Sequence, residues 1–224
     1  SLHWDGDLIV LVDPLDGSSN LDVNGAVGTI FLVLARPDEE KLSDQDALQP
    51  GQAALAAGYV MYGPALAMAL TVGDGTHILH YDPAESRWRH THKHIRIPED
   101  GGYYSVNEAN RDRWTDDSAA GIERLKAELG LGLRYVGSMV ADVHRTLLKG
   151  GVFLYPPDKK NPNGKLRLMY EAIPMAWLVE QAGGEARTAD ARRILDVQPE
   201  AIHQRVPVYL GARRAVELLL GGLA

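Results

Sequence analysis

Hydrophobic residues occur along the first half of this chain in short runs separated by glycine, proline and polar residues. The runs at 8–12 and 27–34 have the length and composition of buried strands. Two further runs, 65–72 and 77–81, flank the turn-forming sequence 73–76, which predicts a β-hairpin. The first half should therefore be built mainly from antiparallel strands.

Two segments of the first half carry weaker patterns. Residues 52–62 are rich in alanine and fit a short helix with a small-residue face, although runs of this length also fit strands. Residues 38–50 are polar, and we expect them to form an exposed, mobile loop.

In the second half, apolar runs alternate with segments of helical spacing, as in layered α/β proteins. The expected strands lie at 103–106, 134–136, 152–155 and 206–210, and the expected helices at 122–129, 139–147, 173–182 and 213–220. The change of pattern falls at 98–102, where proline, acids and two glycines interrupt both periodicities. We expect an α/β (α+β layered) protein: a mixed or antiparallel sheet region at 1–98, followed by an α/β/α sandwich at 99–224.

Composition narrows the function classes. With 224 residues, 45% of them hydrophobic, the chain can form one large or two small globular units. Its net charge of −7 argues against nucleic acid or an anionic membrane as a partner. Cysteine is absent, which excludes disulfides and thiolate chemistry. Neither a membrane-spanning run nor a signal peptide is recognisable, so we expect a cytoplasmic protein.

The sequence 13–20, Asp-Pro-Leu-Asp-Gly-Ser-Ser-Asn, is the strongest candidate for a functional site. Pro14 favours an extended Asp13, which should end the strand, while Asp16 should lie beyond the turn. Two nearby carboxylates repel unless a cation lies between them, and Mg²⁺ prefers carboxylate and carbonyl oxygens. Asp13, Asp16 and the Leu15 carbonyl thus form a candidate metal site.

The end of this sequence has the chemistry of a phosphate-binding turn. Gly17 permits close backbone approach, and the N–H and hydroxyl groups of Ser18 and Ser19 can point at a phosphate. Asp-Gly alone would be typical of an ordinary hairpin turn. The whole octapeptide favours the metal and phosphate interpretation.

The octapeptide at 13–20, together with Val-Gly-Thr-Ile-Phe at 27–31, resembles class I fructose-1,6-bisphosphatases. Its shorter core is shared by the wider superfamily of lithium-sensitive, magnesium-dependent phosphatases, so it indicates chemistry more firmly than substrate. The segments 135–147, 160–171 and 196–207 resemble the same family and make the resemblance specific for substrate. It implies the sugar-phosphatase fold and a cofactor of Mg²⁺, with Mn²⁺ as an alternative.

The resemblance also implies roles for individual residues. It adds Glu171 to Asp13, Asp16 and the Leu15 carbonyl as metal ligand, and makes the three acids the catalytic residues. The implied substrate-binding residues are Asp16, Gly17, Ser18 and Ser19 for the reacting phosphate, Asn107, Tyr135 and Tyr155 for the 6-phosphate, Arg134 for the 6-phosphate of a neighbouring subunit, and Met139 and Lys165 for the sugar. From its neighbours Gly164 and Leu166, we further expect Lys165 to be held inward. Asn110 stands where the family commonly has tyrosine.

By this resemblance the protein would hydrolyse the 1-phosphate of fructose 1,6-bisphosphate, a reaction of gluconeogenesis. It would act as a homo-oligomer, with a tetramer expected as in the family. Sedoheptulose bisphosphate, or both sugars, is the alternative substrate, and an inactive truncated scaffold is the alternative from another class. Residues 1–98 would be the remaining half of a metal-binding domain, with further acids expected before Ser1. The 224-residue chain alone should then have little activity.

Overall fold

The computed structural model of the chain describes residues 6–38 and 43–221. The first half forms a six-stranded antiparallel sheet in which each strand pairs with the next along the chain. Its strands are β1 (Leu8–Asp16), β2 (Val27–Ala35), β3 (Ala54–Tyr62), β4 (Leu66–Thr71), β5 (His77–Asp82) and β6 (Arg87–His92). The predicted hairpin at 73–76 is confirmed, since it joins β4 to β5.

The first sheet buries one face. Along β2, Ile30, Leu32 and Leu34 are fully buried, as alternation in a half-covered strand requires. The strand β1 lies at the edge of the sheet, and its alternate residues Leu8 and Val10 are 52% and 53% exposed. The expectation of a buried strand at 8–12 therefore holds for only one of its two faces.

Of the two alternatives for 52–62, the helix is wrong and the strand is confirmed, because Ala54–Tyr62 form β3 after the 3₁₀ turn Gly51–Ala53. The glycine at position 58 reflects crowding between neighbouring strands. A Cβ atom added at Gly58 would lie 2.5 Å from the Ala69 carbonyl oxygen and 2.6 Å from the Phe31 ring. The exposed loop expected at 38–50 is also wrong in part: Asp44–Ala47 form a 3₁₀ turn capped by Ser43, and residues 39–42 lie outside the described residues.

The second half contains a mixed five-stranded sheet, a two-stranded pair and helices, as the expected layered α/β pattern requires. In chain order its elements are β7 (Tyr103–Ser105), α1 (Asp116–Leu129), β8 (Gly132–Leu133), α2 (Met139–Lys149), β9 (Gly151–Tyr155), β10 (Leu166–Arg167), α3 (Ile173–Gln181), β11 (Glu185–Arg187), β12 (Arg205–Val206), β13 (Val208–Gly211) and α4 (Arg213–Leu219). The larger sheet has the order β11-β13-β9-β7-β8, and β10 pairs with β12.

Two expected strands of this half need correction. No strand forms at 134–136: the strand β8 of this region ends at Leu133, and residues 134–136 are an irregular segment that leads into α2. The strand expected at 206–210 is divided between β12 and β13 at Pro207, which has no N–H for a sheet hydrogen bond.

Helices α2 and α3 lie between the two sheets, since each contacts strands of both. Helices α1 and α4 pack together, and α4 covers the other face of the five-stranded sheet. The layered fold class is thus confirmed. Buried hydrophobic residues of both halves, from Ile9 to Leu219, form one continuous cluster. The domain boundary at 98/99 stays a prediction.

Candidate functional site

Three carboxylates from distant parts of the sequence meet at the end of β1. One oxygen from each of Asp13, Asp16 and Glu171 lies within 4.8 Å of the others. Among residues 6–38 and 43–221, this is the one group of three or more acid or histidine side chains placed to hold a metal ion. The structure therefore brings together the three acids that the sequence analysis selected.

A β-bulge brings Asp13 and Asp16 to one side. Asp13 pairs with Ile30 and Asp16 with Gly28, so β1 contains one residue more than β2 between these pairs. Without the extra residue, side chains three positions apart would point to opposite faces of the sheet. The expectation that Asp16 lies beyond the strand is wrong, because β1 continues through Pro14 and Leu15 to Asp16.

Glu171 comes from a π-helical turn, Leu168–Ala172, which leads directly into α3. This turn packs against β1 and β2, which places Glu171 over the bulge. The Arg167 backbone N–H donates to Glu171 Oε2 at 2.6 Å, and Arg167 Nη1 lies 3.8 Å from the same oxygen. The carboxylate is therefore buried and held in one orientation.

The electrostatics of the cluster favour a cation. Burial raises the pKa of Asp16 to about 6, opposed by hydrogen bonds from Val140 and Ser138, and the Asp13 charge raises it further. Burial and the nearby Asp13 charge raise the pKa of Glu171 to about 7, against the hydrogen bond from Arg167. Each carboxylate is costly to ionise here without a counter-charge, and a divalent ion supplies that charge. The donor set thus fits a hard metal ion.

The phosphate-binding turn follows directly after the bulge. Gly17 has φ 72°, and a Cβ atom at this position would lie 2.5 Å from the Ser138 Cβ. Only glycine fits that backbone conformation at such a close contact. Ser18 and Ser19 begin the 3₁₀ turn Ser18–Val23 and are exposed, which leaves their hydroxyl groups accessible.

The residues expected to hold the 6-phosphate lie on neighbouring loops. Asn107, Asn110 and Tyr155 line one small pocket beside Trp114. Asn107 accepts a hydrogen bond from the Ala109 N–H, and Asn110 Oδ1 accepts one from Arg113. Three of the sequence-derived positions, counting the unusual Asn110, thus share one wall.

Tyr135 is close enough to interact electrostatically with both Tyr155 of that pocket and the Asp16 carboxylate. Burial raises its pKa to about 12, and the nearby Tyr155, Asp142 and Asp16 contribute in the same direction. The phenol is therefore neutral at physiological pH and can donate a hydrogen bond. Met139, four residues further on, is 3% exposed in the first turn of α2.

The two cations of the predicted site are exposed. The Arg134 guanidinium lies over the Tyr103 ring at 5.0 Å, and its Nη1 donates to the Leu133 carbonyl. The expectation that Lys165 is held inward is wrong, since its side chain is exposed. Gly164 and Leu166 take the buried positions on either side, which leaves the ammonium group in water and avoids its desolvation.

Sequence reasoning missed two buried residues next to the cluster. Ser138 Oγ donates to Asp16 Oδ2 at 2.9 Å, and the carboxylate of Asp142 is completely buried. Asp142 could have been noticed as an acid among the apolar positions of α2. The contact between Ser138 and Asp16 spans 122 residues, and no local pattern reports it.

Family comparisons agree with this geometry. The model described as "Fructose-1-6-bisphosphatase, N-terminal domain" matches residues 3–93, and "Fructose-1-6-bisphosphatase, C-terminal domain" matches residues 97–221. The chain belongs to the fructose-1,6-bisphosphatase family. This confirms the resemblance found in the sequence.

Individual relatives of this family match nearly all of the chain. The class 1 fructose-1,6-bisphosphatase of Persephonella marina is 50% identical over 217 residues, which are 96% of this chain and 66% of the relative. The cytosolic fructose-1,6-bisphosphatase of Oryza sativa subsp. indica is 48% identical over 96% of this chain and 65% of its own length. The chain spans about two thirds of the length of these relatives.

Solved structures of the family share the fold. The holo form of Leishmania major fructose-1,6-bisphosphatase superposes with a TM-score of 0.91 at 44% identity, covering 96% of this chain and 70% of that one. Its T-state gives the same TM-score and identity, with 69% of that chain covered. Separately, no helix among the described residues is long and apolar enough to cross a membrane.

Proposed function

We propose that the protein hydrolyses the 1-phosphate of fructose 1,6-bisphosphate to give fructose 6-phosphate and inorganic phosphate. The observation that carries this proposal is the convergence of Asp13, Asp16 and Glu171 beside the turn at Gly17. Phosphoryl transfer depends mainly on positioning and on neutralising charge, and a buried acid cluster next to a phosphate-binding turn can supply both with a metal ion. The names of the relatives support the sugar substrate.

The metal in this proposal is Mg²⁺, with Mn²⁺ as a substitute, held by Asp13, Asp16, Glu171 and the Leu15 carbonyl. Such an ion, when bound, would lower the pKa of a water molecule and would stabilise the leaving oxygen. The protein's own part is to hold the three acids close together in fixed orientations. The Leu15 N–H donates to Asp13 Oδ1 at 3.2 Å, and Arg167 and Ser138 orient the other two.

The remaining residues position the substrate. Gly17, Ser18 and Ser19 would orient the 1-phosphate, and the wall formed by Asn107 and Tyr155, with Tyr135 beside it, would hold the 6-phosphate. Tyr135 suits this purpose, because its neutral phenol can donate a hydrogen bond to phosphate without adding negative charge.

The remaining proposed contacts to the substrate come from the exposed cations Arg134 and Lys165 and from the buried Met139. Lys165 and Met139 would contact the sugar. Arg134 would reach the 6-phosphate of a neighbouring subunit, which makes the working protein a homo-oligomer, with a tetramer as the expected state. A guanidinium that already lies over the Tyr103 ring is well suited to grip phosphate with two donors.

We place the protein in the cytoplasm, because several relatives are named cytosolic fructose-1,6-bisphosphatases. The assignment of the reaction to gluconeogenesis rests on the proposed substrate. Two alternatives remain within the proposal. Sedoheptulose bisphosphate could replace or accompany fructose bisphosphate, and comparing kcat/KM for the two sugars separates these cases. Alternatively, the chain is an inactive scaffold that binds sugar phosphate without hydrolysing it.

The experiment measures phosphate release from fructose 1,6-bisphosphate with Mg²⁺ and with EDTA. It compares the 224-residue chain with a version extended at its N-terminus to the length of the relatives. We expect the longer version to release one phosphate per sugar with Mg²⁺ alone, and the 224-residue chain to be much slower. Release that is equal in EDTA, or absent from the longer version, would contradict the proposal.

A further inference from the structure

We infer that Ser138 and Asp142 are positioning residues that couple the Asp16 carboxylate to the segment carrying Tyr135. The inference deepens the proposed function and rests on it, because Asp16 is taken as a metal ligand. The two residues lie one helical turn apart at the start of α2, and both are 0% exposed. Together they connect the metal side of the site to its sugar side.

The contact to Asp16 selects one of its two oxygens. Ser138 Oγ and the Val140 backbone N–H both donate to Oδ2 at 2.9 Å. Because Oδ2 has two protein donors, Oδ1 is the oxygen that remains for a cation. The first turn of α2 thereby fixes the direction in which Asp16 presents its free oxygen.

Ser138 is used here in an unusual way. A serine that precedes a helix normally accepts a hydrogen bond from an N–H of the first turn. Ser138 makes no such capping bond, and its hydroxyl donates to Asp16 instead. Gly17 supports this arrangement, since any larger residue there would collide with the Ser138 Cβ at 2.5 Å. The free hydroxyl of Ser138 and the glycine at position 17 therefore both favour the contact between Ser138 and Asp16.

Asp142 braces the segment that precedes the helix. Its carboxylate accepts hydrogen bonds from the N–H groups of Val136, at 3.1 Å, and Gly137, also at 3.1 Å. Arg145 Nη2 donates to the same carboxylate at 2.8 Å and to the Arg134 carbonyl at 2.9 Å. The buried charge is thus fully partnered, and every partner belongs to α2 or to the segment around Tyr135.

These contacts make the segment 134–138 and the first turn of α2 one unit. A ligand that orders Tyr135 on the sugar side also orders Ser138, and through it Asp16. Binding of sugar phosphate and binding of metal should therefore strengthen each other, and the strengthening must be equal in both directions.

The test measures Mn²⁺ affinity by calorimetry at fixed pH for the unsubstituted protein and for Ser138→Ala. We expect Ser138→Ala to weaken Mn²⁺ binding by about 10-fold to 100-fold, the usual effect of losing a partner that orients a metal ligand. The matched control is Ser118→Ala, which removes another buried hydroxyl from the first turn of a helix, where it bonds to Tyr209. Mn²⁺ affinity should be unchanged in the control.

A second variant, Asp142→Asn, tests the coupling. In the unsubstituted protein, saturating fructose 6-phosphate should tighten Mn²⁺ binding, while in Asp142→Asn the two ligands should bind independently. A structural defect would lower both affinities and leave their coupling intact.

The outcomes separate the two proposals. If the unsubstituted protein binds Mn²⁺ but Ser138→Ala binds it equally well, this inference is wrong and the proposed function stands. If Asp13→Asn leaves Mn²⁺ binding unchanged, the ion lies elsewhere and both proposals fail.

Discussion

Replacing Glu171 with glutamine should stabilise the metal-free protein at pH 8. Burial raises the pKa of this carboxyl from 4.5 to about 7, with the Asp13 charge adding to the shift. One pKa unit corresponds to about 1.4 kcal/mol, so keeping Glu171 ionised in the folded state costs about 3 kcal/mol. Glutamine carries no charge, and its carbonyl oxygen can still accept the hydrogen bond from the Arg167 N–H.

The pH dependence has a definite sign. The folded state holds the Glu171 proton more tightly than the unfolded state, so this residue makes the metal-free protein less stable as pH rises from about 4.5 to about 7. Below pH 4.5 both states are protonated and the penalty vanishes. His144, whose pKa burial lowers to about 4, acts in the opposite direction. It is present in both proteins, so their difference isolates Glu171.

The assay is chemical unfolding in EDTA at pH 5 and pH 8, with exposed Glu200→Gln as the control. At pH 8, Glu171→Gln should be more stable than the unsubstituted protein by about 3 kcal/mol, and at pH 5 by less than about 1 kcal/mol. Excess Mn²⁺ should reverse the order at pH 8, because only the unsubstituted protein keeps all three acids. Equal stability of the two proteins at pH 8 in EDTA would refute the electrostatic account of the cluster.

Three further predictions concern the proposed enzyme at the length of its relatives. Asp13→Asn should abolish Mg²⁺-dependent turnover, since one hard ligand is lost, and undiminished turnover in a phosphate-release assay would exclude Asp13 as a ligand. Lys165→Ala should raise KM by roughly tenfold with less effect on kcat, as loss of a charged contact to substrate predicts, whereas an unchanged KM would place Lys165 in solvent throughout. Arg134→Ala should weaken binding of fructose 6-phosphate, because each site would lose a guanidinium supplied by the neighbouring subunit. Sedimentation that shows a fully active monomer would contradict this role of Arg134.

Local patterns were enough to predict much of the fold. The hairpin at 73–76 follows from glycine and aspartate between apolar runs, and α1 ends at Gly130 in a left-handed conformation. Met139, Val140, Val143 and Leu147 occur at helical spacing, and all are buried in α2. Each of these features depends on residues that are close together in the sequence.

Other features depend on partners far away in the sequence. Residues 54–62 form a strand because β2 and β4 lie on either side of them, and the spacing of the alanines does not report those neighbours. The bulge after Asp13 is defined only by the register against Ile30 and Gly28. The residue types at the carboxylate cluster were readable from the sequence, whereas the bulge, the π turn and the contact of Ser138 that orient them were not.

The most direct test of the central claim is to locate a bound metal ion. Crystals of the protein soaked in Mn²⁺ would show the ion by its anomalous scattering, independently of any assay of activity. The account predicts that the strongest anomalous peak lies between Asp13, Asp16 and Glu171, within about 2.0–2.3 Å of an oxygen of each. A strongest peak elsewhere, with no density among these three carboxylates, would contradict it.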